Sequence, residues 1–363
     1  MQKSDIVLIY GDKIKDNTKK LLNYLNLNSI IGEKDSIIVL KPNLVLPQDP
    51  SFGATTHNEI IVGIIEYLQY YGFLNIKIVE SSWIGASTKE SFKHNGYLEI
   101  RDKYDIELID VKDDEYYLID KNGIKVEISK EIMDCDYLIN VPVLKGHCQT
   151  KMTCALKNMK GCISDKSKRA FHNLGLMKPI AVLNEIKSAD LVIVDSINGD
   201  LDFEEGGNPV KTDRLIASFD SVLCDSFAAS LLGYKIEEVE YLKIAESLNV
   251  GTTDFKNSKI IYLNKPSINN SNKKPKGSVK ELSKYIESKN ACSACYGNLI
   301  HAINKLQNNN ELLNIDKICI GQGFKSIKND KLVGVGSCTK NLKKSLKGCP
   351  PSANDMIEFL KKI

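Results

Sequence analysis

The chain of 363 residues has no apolar run long enough to cross a bilayer. The stretch Ile60 to Leu68 is broken by Glu66 and falls short of the roughly 20 residues a spanning helix needs. The opening segment, Met1 to Tyr10, has too short an apolar run for a secretory signal, so a cytoplasmic protein with no membrane partner is expected. Charge of one sign is also missing. Lys and Arg number 49 against 46 Asp and Glu, a formal +3, which implies no strongly basic face and no nucleic-acid partner. No Gly-X-Gly-X-X-Gly follows a strand-like run, so a Rossmann-type nicotinamide site is not signalled. The 42% hydrophobic and 26% charged shares are those of an ordinary protein long enough for two or three domains with real cores.

Cysteine is what the chain does have. Ten cysteines without an export signal favour metal or redox chemistry over disulfides. Four of them stand in Cys292-Ser-Ala-Cys295, Ser337-Cys338-Thr339 and Gly348-Cys349-Pro350-Pro351. Two thiolates three residues apart grip one corner of a site, and two more from distant loops close a four-thiolate cage, the ligand set of a 4Fe-4S cluster. Cys349 precedes two prolines and a stretch with helical apolar spacing, and a helix N-terminus stabilises a thiolate. Structural zinc on the same thiolates, a disulfide pair or plain core packing are the other readings. Cys319, in Ile-Asp-Lys-Ile-Cys-Ile-Gly, reads as a core residue of a strand over 315–320. Cys135, Cys148, Cys154, Cys162 and Cys224 have no pair at cluster spacing and are expected to bind none.

Short β-branched runs alternate with amphipathic stretches, which predicts an α/β fold with a mostly parallel sheet and helices on both faces. Strands are expected over 36–40, 76–80, 137–141, 191–195 and 215–219, and helices over 58–69, 175–187, 221–232 and 239–248. The polar stretch 264–277 reads as a linker between an α/β domain over 1–263 and a small α/β cluster-binding segment over 278–363. In that segment helices are expected over 279–287, behind Cys295 and at the C-terminus, with a short strand over 332–335.

Polar residues of the larger domain gather after strands, where the carboxyl edge of a parallel sheet binds ligands. They are Lys41 and Asn43, His57 ahead of a helix, Lys145 and His147, then Lys157 and Asn158, with Asp195 closing its strand as a base or cation ligand. Cations beside amides suit a small anionic substrate, with Asp195 or Glu80 for charge balance. The plainer readings are a solvated face for Lys157 and Lys160, a helix-start residue for His57, and a helix opening for Asp225.

Five stretches together resemble the domain-of-unknown-function family 362. They are Lys41-Pro-Asn-Leu-Val45; Gly53-Ala-Thr-Thr-His57; Asn140 to His147 with Ala155-Leu-Lys-Asn-Met-Lys-Gly161; Lys168-Arg-Ala-Phe-His172; and Ile193-Val-Asp195 through Gly206-Gly-Asn-Pro-Val210. The resemblance runs in order from about Ile37 to about Gly251. It implies iron-sulfur segments and redox or cofactor chemistry, with no general reaction assigned to the family. The closely spaced ferredoxin-type cysteine run of many members is missing here. Gly348-Cys-Pro-Pro351 is similar to the last cluster ligand of hydrogenase-small-subunit and complex-I-type proteins.

The expectation is therefore an iron-sulfur protein with one 4Fe-4S cluster and an anion site. It would act as an oxidoreductase or electron-transfer protein on a small anionic substrate or a redox partner protein. Two alternatives stay open: a non-redox enzyme using a cluster or divalent cation as Lewis acid, and a binding or cluster-carrier protein without turnover.

Overall fold

The computed structural model describes residues 4–204, 206–265, 278–311 and 317–363. The chain divides into two compact units, Met1–Lys168 with Met177–Lys274, and Arg169–Leu176 with Pro275–Ile363. The linker expected over 264–277 lies outside the described residues from position 266 onward.

The strands of the first unit are, in chain order, β1 (Asp5–Tyr10), β2 (Ile38–Lys41), β3 (Ile76–Glu80), β4 (Glu107–Asp110), β5 (Tyr116–Lys121) and β6 (Ile124–Ser129). They continue with β7 (Tyr137–Asn140), β8 (Lys145–His147), β9 (Lys151–Thr153), β10 (Leu191–Asp200), β11 (Pro209–Ser218) and β12 (Lys259–Tyr262). Eight of them form one sheet in the order β12-β1-β11-β10-β7-β2-β3-β4. Every neighbouring pair is parallel except the two made by β11. The Ile-Val-Leu-Lys run of β2 is buried on both faces, as a central parallel strand covered by helices requires. Helices Ile14–Leu25 and Asn58–Tyr70 put Leu21, Leu22, Ile60, Ile61, Ile64 and Ile65 into the core with Ile38, Leu40, Ile78 and Ile139. The fold is α/β with a mostly parallel sheet, as expected.

The helices over 58–70, 177–186, 221–231 and 240–247 and the strands β2, β3 and β7 lie within two residues of their expected ends, whereas other elements differ. β10 runs five residues past Asp195, because a bulge between Ser196 and Asn198 lets it stay paired with β11 through a segment whose Asn-Gly reads as a turn. Lys145 to Thr153, which the strand pattern did not signal, is a tight hairpin of β8 and β9. β5 and β6 form a second hairpin with no expected counterpart.

In the second unit, β13 (Ile286–Ser288), β14 (Ile318–Ile320), β15 (Val333–Val335) and β16 (Lys344–Leu346) form a parallel sheet in that order. The helix expected over 279–287 is shorter, Ser278–Leu282 followed by a turn. Ile286 pairs instead with Ile318, so sheet pairing overrides helical spacing there. Cys319 is buried in β14 against Phe324 and Leu342. Helices Ser293–Asn308 and Ala353–Leu360 pack on each other. Among the described residues no helix is long and apolar enough to cross a membrane.

Candidate functional site

Parallel strands end at one edge, so residues far apart in sequence meet there. Lys41 closes β2, Glu80 closes β3 and Asn140 closes β7. Lys41 Nζ pairs with the Glu80 carboxylate and donates to the Pro42 carbonyl at 2.7 Å, with Asn158 Oδ1 at 3.4 Å. A directed chain of amides runs alongside. Asn43 Nδ2 donates to Asn158 Oδ1 at 2.7 Å, Asn158 Nδ2 to Asn140 Oδ1 at 2.7 Å, and Asn140 Nδ2 to the Ala155 carbonyl at 2.9 Å. The chain leaves Asn43 Oδ1 buried without a hydrogen-bond donor among the described residues. A Cβ on Gly161 would overlap both the Glu80 carboxylate and the Lys41 ammonium, so only glycine lets this backbone approach the pair.

A second group centres on Asp195, which is fully buried. Its Oδ2 accepts from the His57 backbone N–H at 2.7 Å and faces His57 Nδ1 at 2.8 Å, while Oδ1 accepts from Ile197 N–H at 3.1 Å. Burial pulls the His57 imidazole down, but the Asp195 charge and hydrogen bond, with Glu59 and Asp49, outweigh it and raise its pKa. The carboxylate engages Nδ1 of the ring. Thr56 ties this group to the first: its Oγ1 accepts from Asn43 N–H at 2.8 Å and donates to the Val141 carbonyl at 2.8 Å. The buried Tyr97 hydroxyl feels the charges of both Glu80 and Asp195.

A third group joins β8 to the loop after β10. Lys157 pairs with Glu204 and donates to Thr153 Oγ1 at 3.0 Å. His147 Nδ1 accepts from the N–H groups of Gln149 (3.1 Å) and Thr150 (3.0 Å), so the ring proton belongs on Nε2. Nε2 lies 2.8 Å from Glu204 Oε2, close enough for charge interaction but not aligned as a hydrogen bond. Burial, only partly offset by Glu204, pulls His147 down to about 4. Burial alone would push Glu204 up, yet the ammonium groups of Lys157 and, behind it, Lys145 hold it well below the usual carboxylate range. We take Glu204 as ionised against Lys157 and His147 as neutral, because Nδ1 cannot gain a proton without losing two N–H bonds. Lys145 Nζ donates to the Ala54 carbonyl at 2.6 Å, and its charge also reaches Glu204.

The structure thus brings Lys41, Asn43 and Asn158 into one network, His57 and Asp195 into a second, and His147 and Lys157 with the field of Lys145 into a third. All eight are buried rather than spread along an open cleft. The surface cavities beside Tyr137 and Asp220 (about 430 Å³) and beside Phe92 and Ile109 (about 570 Å³) are lined by other residues. Lys157 is not a solvated face, since Glu204 holds it inside. Sequence reasoning missed Glu204, Asn140 and Gly161 as members of the site. It also missed Lys168, whose ammonium donates to Ser81 Oγ and, at 3.0 Å, to the Ser82 carbonyl, and which burial pulls down to about 8. Glu204 sits in a short polar stretch with no helix or strand period to mark it.

In the second unit Cys292 caps the helix Ser293–Asn308 and Cys295 lies in its first turn. Cys338 sits in the turn Ser337–Thr339 between β15 and β16, and Cys349 follows β16. Ser337 N–H bonds the Gly348 carbonyl at 2.8 Å, and Asn298 Nδ2 bonds the Pro351 carbonyl at 2.9 Å, so these loops are tied to each other and to the helix. Burial first, then the charges of Cys292, Cys338 and Cys349, push the Cys295 thiol up to about 12. Burial, Cys292 and Cys349 likewise raise Cys338, against Lys325. A Cβ on Gly336 would stand 3.2 Å from Cys295 Sγ, so glycine keeps the space beside that thiol open. Four thiols in one another's field suit a cationic iron-sulfur core, which reverses their mutual repulsion. Among the described residues, no three His, Cys, Asp or Glu side chains are grouped to hold a single ion. A cube is held differently, because each thiolate binds its own iron.

Residues 38–230 match the model of the family described as a domain of unknown function, DUF362. The match takes in more than half of the chain, which belongs to that family. A thylakoid-associated protein of Synechocystis sp. is 30% identical over 135 residues, 37% of this chain and 41% of its own length, so the match spans less than half of that relative. Among solved structures, the lactate racemase apoprotein from Thermoanaerobacterium thermosaccharolyticum aligns with a TM-score of 0.41 at 15% identity, over 66% of this chain and 56% of that one. A protein from Thermotoga maritima aligns with a TM-score of 0.40 at 14% identity, over 66% and 60%.

Proposed function

We propose that this member of the DUF362 family is a cytoplasmic iron-sulfur protein, an oxidoreductase or electron-transfer protein. In this reading Cys292, Cys295, Cys338 and Cys349 hold one 4Fe-4S cluster, and the buried polar edge of the first unit receives a small anion. The observation that carries the reading is the placement of four thiols from three separate segments: Cys292 and Cys295 at the start of one helix, Cys338 and Cys349 on loops joined by the Ser337–Gly348 bond, with Gly336 against Cys295 Sγ. Such a cluster, when bound, supplies single electrons. The chain's own residues position it: Cys292 and Cys295 from the start of a helix whose dipole favours negative charge, Cys338 and Cys349 from loops tied together through Ser337 and Gly348.

Charge supports an acidic redox partner protein. Residues 278–363 hold 14 lysines against seven Asp and Glu, a formal +7 within a chain of +3. The lysines at 325, 328, 331, 340, 343, 344 and 347 are all exposed around Cys338 and next to Cys349 in sequence, with Asp330 the single carboxylate among them. A patch of one sign beside an electron-transfer group steers partners of the opposite sign.

A second reading, a non-redox enzyme, is favoured by the His57–Asp195 pair, which needs no metal to move a proton. Single changes at the cysteines separate the two. In anaerobically reconstituted protein, Cys349→Ala is expected to lose the brown four-iron chromophore while Cys319→Ala keeps it. A four-iron spectrum retained in Cys349→Ala would mean that the fourth ligand lies elsewhere.

A further inference from the structure

The four thiols of the second unit do not share one environment. Cys292 and Cys295 are half-buried at the start of the helix Ser293–Asn308. Cys349 is exposed, and the half-buried Cys338 lies between exposed Ser337 and fully buried Thr339. Lys325 approaches Cys338 from another loop. Phe324, the residue before it, is fully buried against Cys319 and against Leu342, which follows Cys338 by four residues. The Lys325 carbonyl accepts from Asn341 Nδ2 at 2.6 Å, and its N–H donates to the Gln322 carbonyl at 3.1 Å. The backbone of Lys325 is thus pinned on two sides to the segment that carries Cys338, while its side chain stays exposed. Burial and the charges of Cys292 and Cys349 push the Cys338 thiol up, and the Lys325 ammonium opposes them. Cys295 is acted on by burial and by the other three thiols.

We infer that Lys325 tunes the reduction potential of the centre held by Cys292, Cys295, Cys338 and Cys349, by placing a positive charge beside the Cys338 thiolate at the water-facing side of the cage. This role rests on the cluster reading of the four cysteines and names the residue that adjusts it. Reduction takes one electron from an outside donor, with no bond made or broken and no proton moved. The site then carries one more negative charge on top of four thiolates. A nearby cation stabilises that reduced state more than the oxidised one and so raises the potential, which net charge and solvent exposure govern in such clusters.

Tuning by Lys325 differs from the steering assigned to the lysine patch as a whole. Steering acts on the approach of a partner, whereas a shifted potential persists with no partner present. An ammonium exposed to water is partly screened, so the shift is modest and shrinks as salt rises.

The test is a potentiometric titration of full-length protein purified without oxygen, with dithionite as reductant and viologens as mediators, followed by electron paramagnetic resonance. Lys325→Gln is expected to lower the midpoint, so that at the wild-type midpoint its ratio of reduced to oxidised centre falls by ~3-fold or more at low salt. Lys325→Arg keeps the charge and should stay at the wild-type midpoint. Lys305→Gln removes the same charge from the last turn of the helix Ser293–Asn308, ten residues beyond Cys295 and so about 15 Å along its axis, and should shift the midpoint less. An unmoved midpoint in Lys325→Gln, an equal shift in Lys305→Gln, or a Lys325→Arg that behaves as Lys325→Gln overturns the inference. Iron and sulfide are counted in every sample. If Lys325→Gln loads no iron, Lys325→Ala takes its place, and loss of iron from both overturns the inference because Lys325 would then hold the site rather than tune it. A four-iron wild type with an unmoved Lys325→Gln midpoint leaves the cluster reading standing and removes this role, whereas wild type without iron removes both.

Discussion

Replacing Glu80 by Gln tests the electrostatic frame of the site. The Lys41 side chain is 0% exposed and that of Glu80 3%, so their ion pair is screened from water. Gln keeps the shape and leaves almost no cavity, which isolates the charge effect. Removing one partner of a buried pair strands the other, at a cost of about 3–5 kcal/mol. Lys41 would retain the Pro42 carbonyl at 2.7 Å and Asn158 Oδ1 at 3.4 Å, which places the expected loss toward the lower end, ~3 kcal/mol. Lys41→Met combined with Glu80→Gln removes both charges and should cost less than Glu80→Gln alone, a coupling of about 2 kcal/mol or more. Urea unfolding followed by tryptophan fluorescence reads this locally, because the chain's single tryptophan, Trp83, stands three residues after Glu80 in the first unit. A Glu80→Gln loss under about 1 kcal/mol, the range of an exposed pair, or a double variant as unstable as the two singles summed, would refute the reasoning.

Gly161→Ala should displace the same pair and lower the melting temperature of the first unit more than an Ala replacement at the exposed Gly123, measured by circular dichroism. His147 is held at about 4 against an unfolded value near 6.5, so its contribution is fully present above about pH 6.5 and is lost as pH falls toward 4. The loss amounts to at most ~3 kcal/mol, and urea midpoints at pH 7 and 4.5 should converge in His147→Gln relative to wild type. His57 has the opposite sign: its raised pKa contributes stability below about pH 6.5 that fades as pH rises through the folded value, so His57→Gln should cost more at pH 6 than at pH 9. Reduction of the protein by an acidic electron carrier should slow as salt is raised, and Lys343→Gln with Lys344→Gln should weaken that salt dependence in stopped-flow traces.

The α/β layout was legible because β2, β3 and β7 are apolar on both faces and the helix over 58–70 has a clear apolar stripe. Lys41 and Asn43 at the end of β2, with Asp195 in β10, marked the polar edge of the sheet. What the sequence did not disclose is pairing. Lys41 and Lys157 looked like cations awaiting an anion, but Glu80 and Glu204 meet them across 39 and 47 residues. The role of Asn140 as a middle link of an amide chain depends on the helix Ala155–Asn158 folding back over β7, which no local period encodes. Sheet extension past Asp195 was hidden by Asn198-Gly199, whose turn-like composition a bulge absorbs. Ile286 was taken into a helix because its strand is only three residues long and gains its stability from Ile318, distant in sequence.

Iron and acid-labile sulfide counted in protein purified without oxygen, with electron paramagnetic resonance after reduction, bear most directly on the cluster reading. The expected result is ~4 iron and ~4 sulfide per chain with a signal from a one-electron-reduced cube. Zinc without iron, or iron near eight per chain, would contradict it.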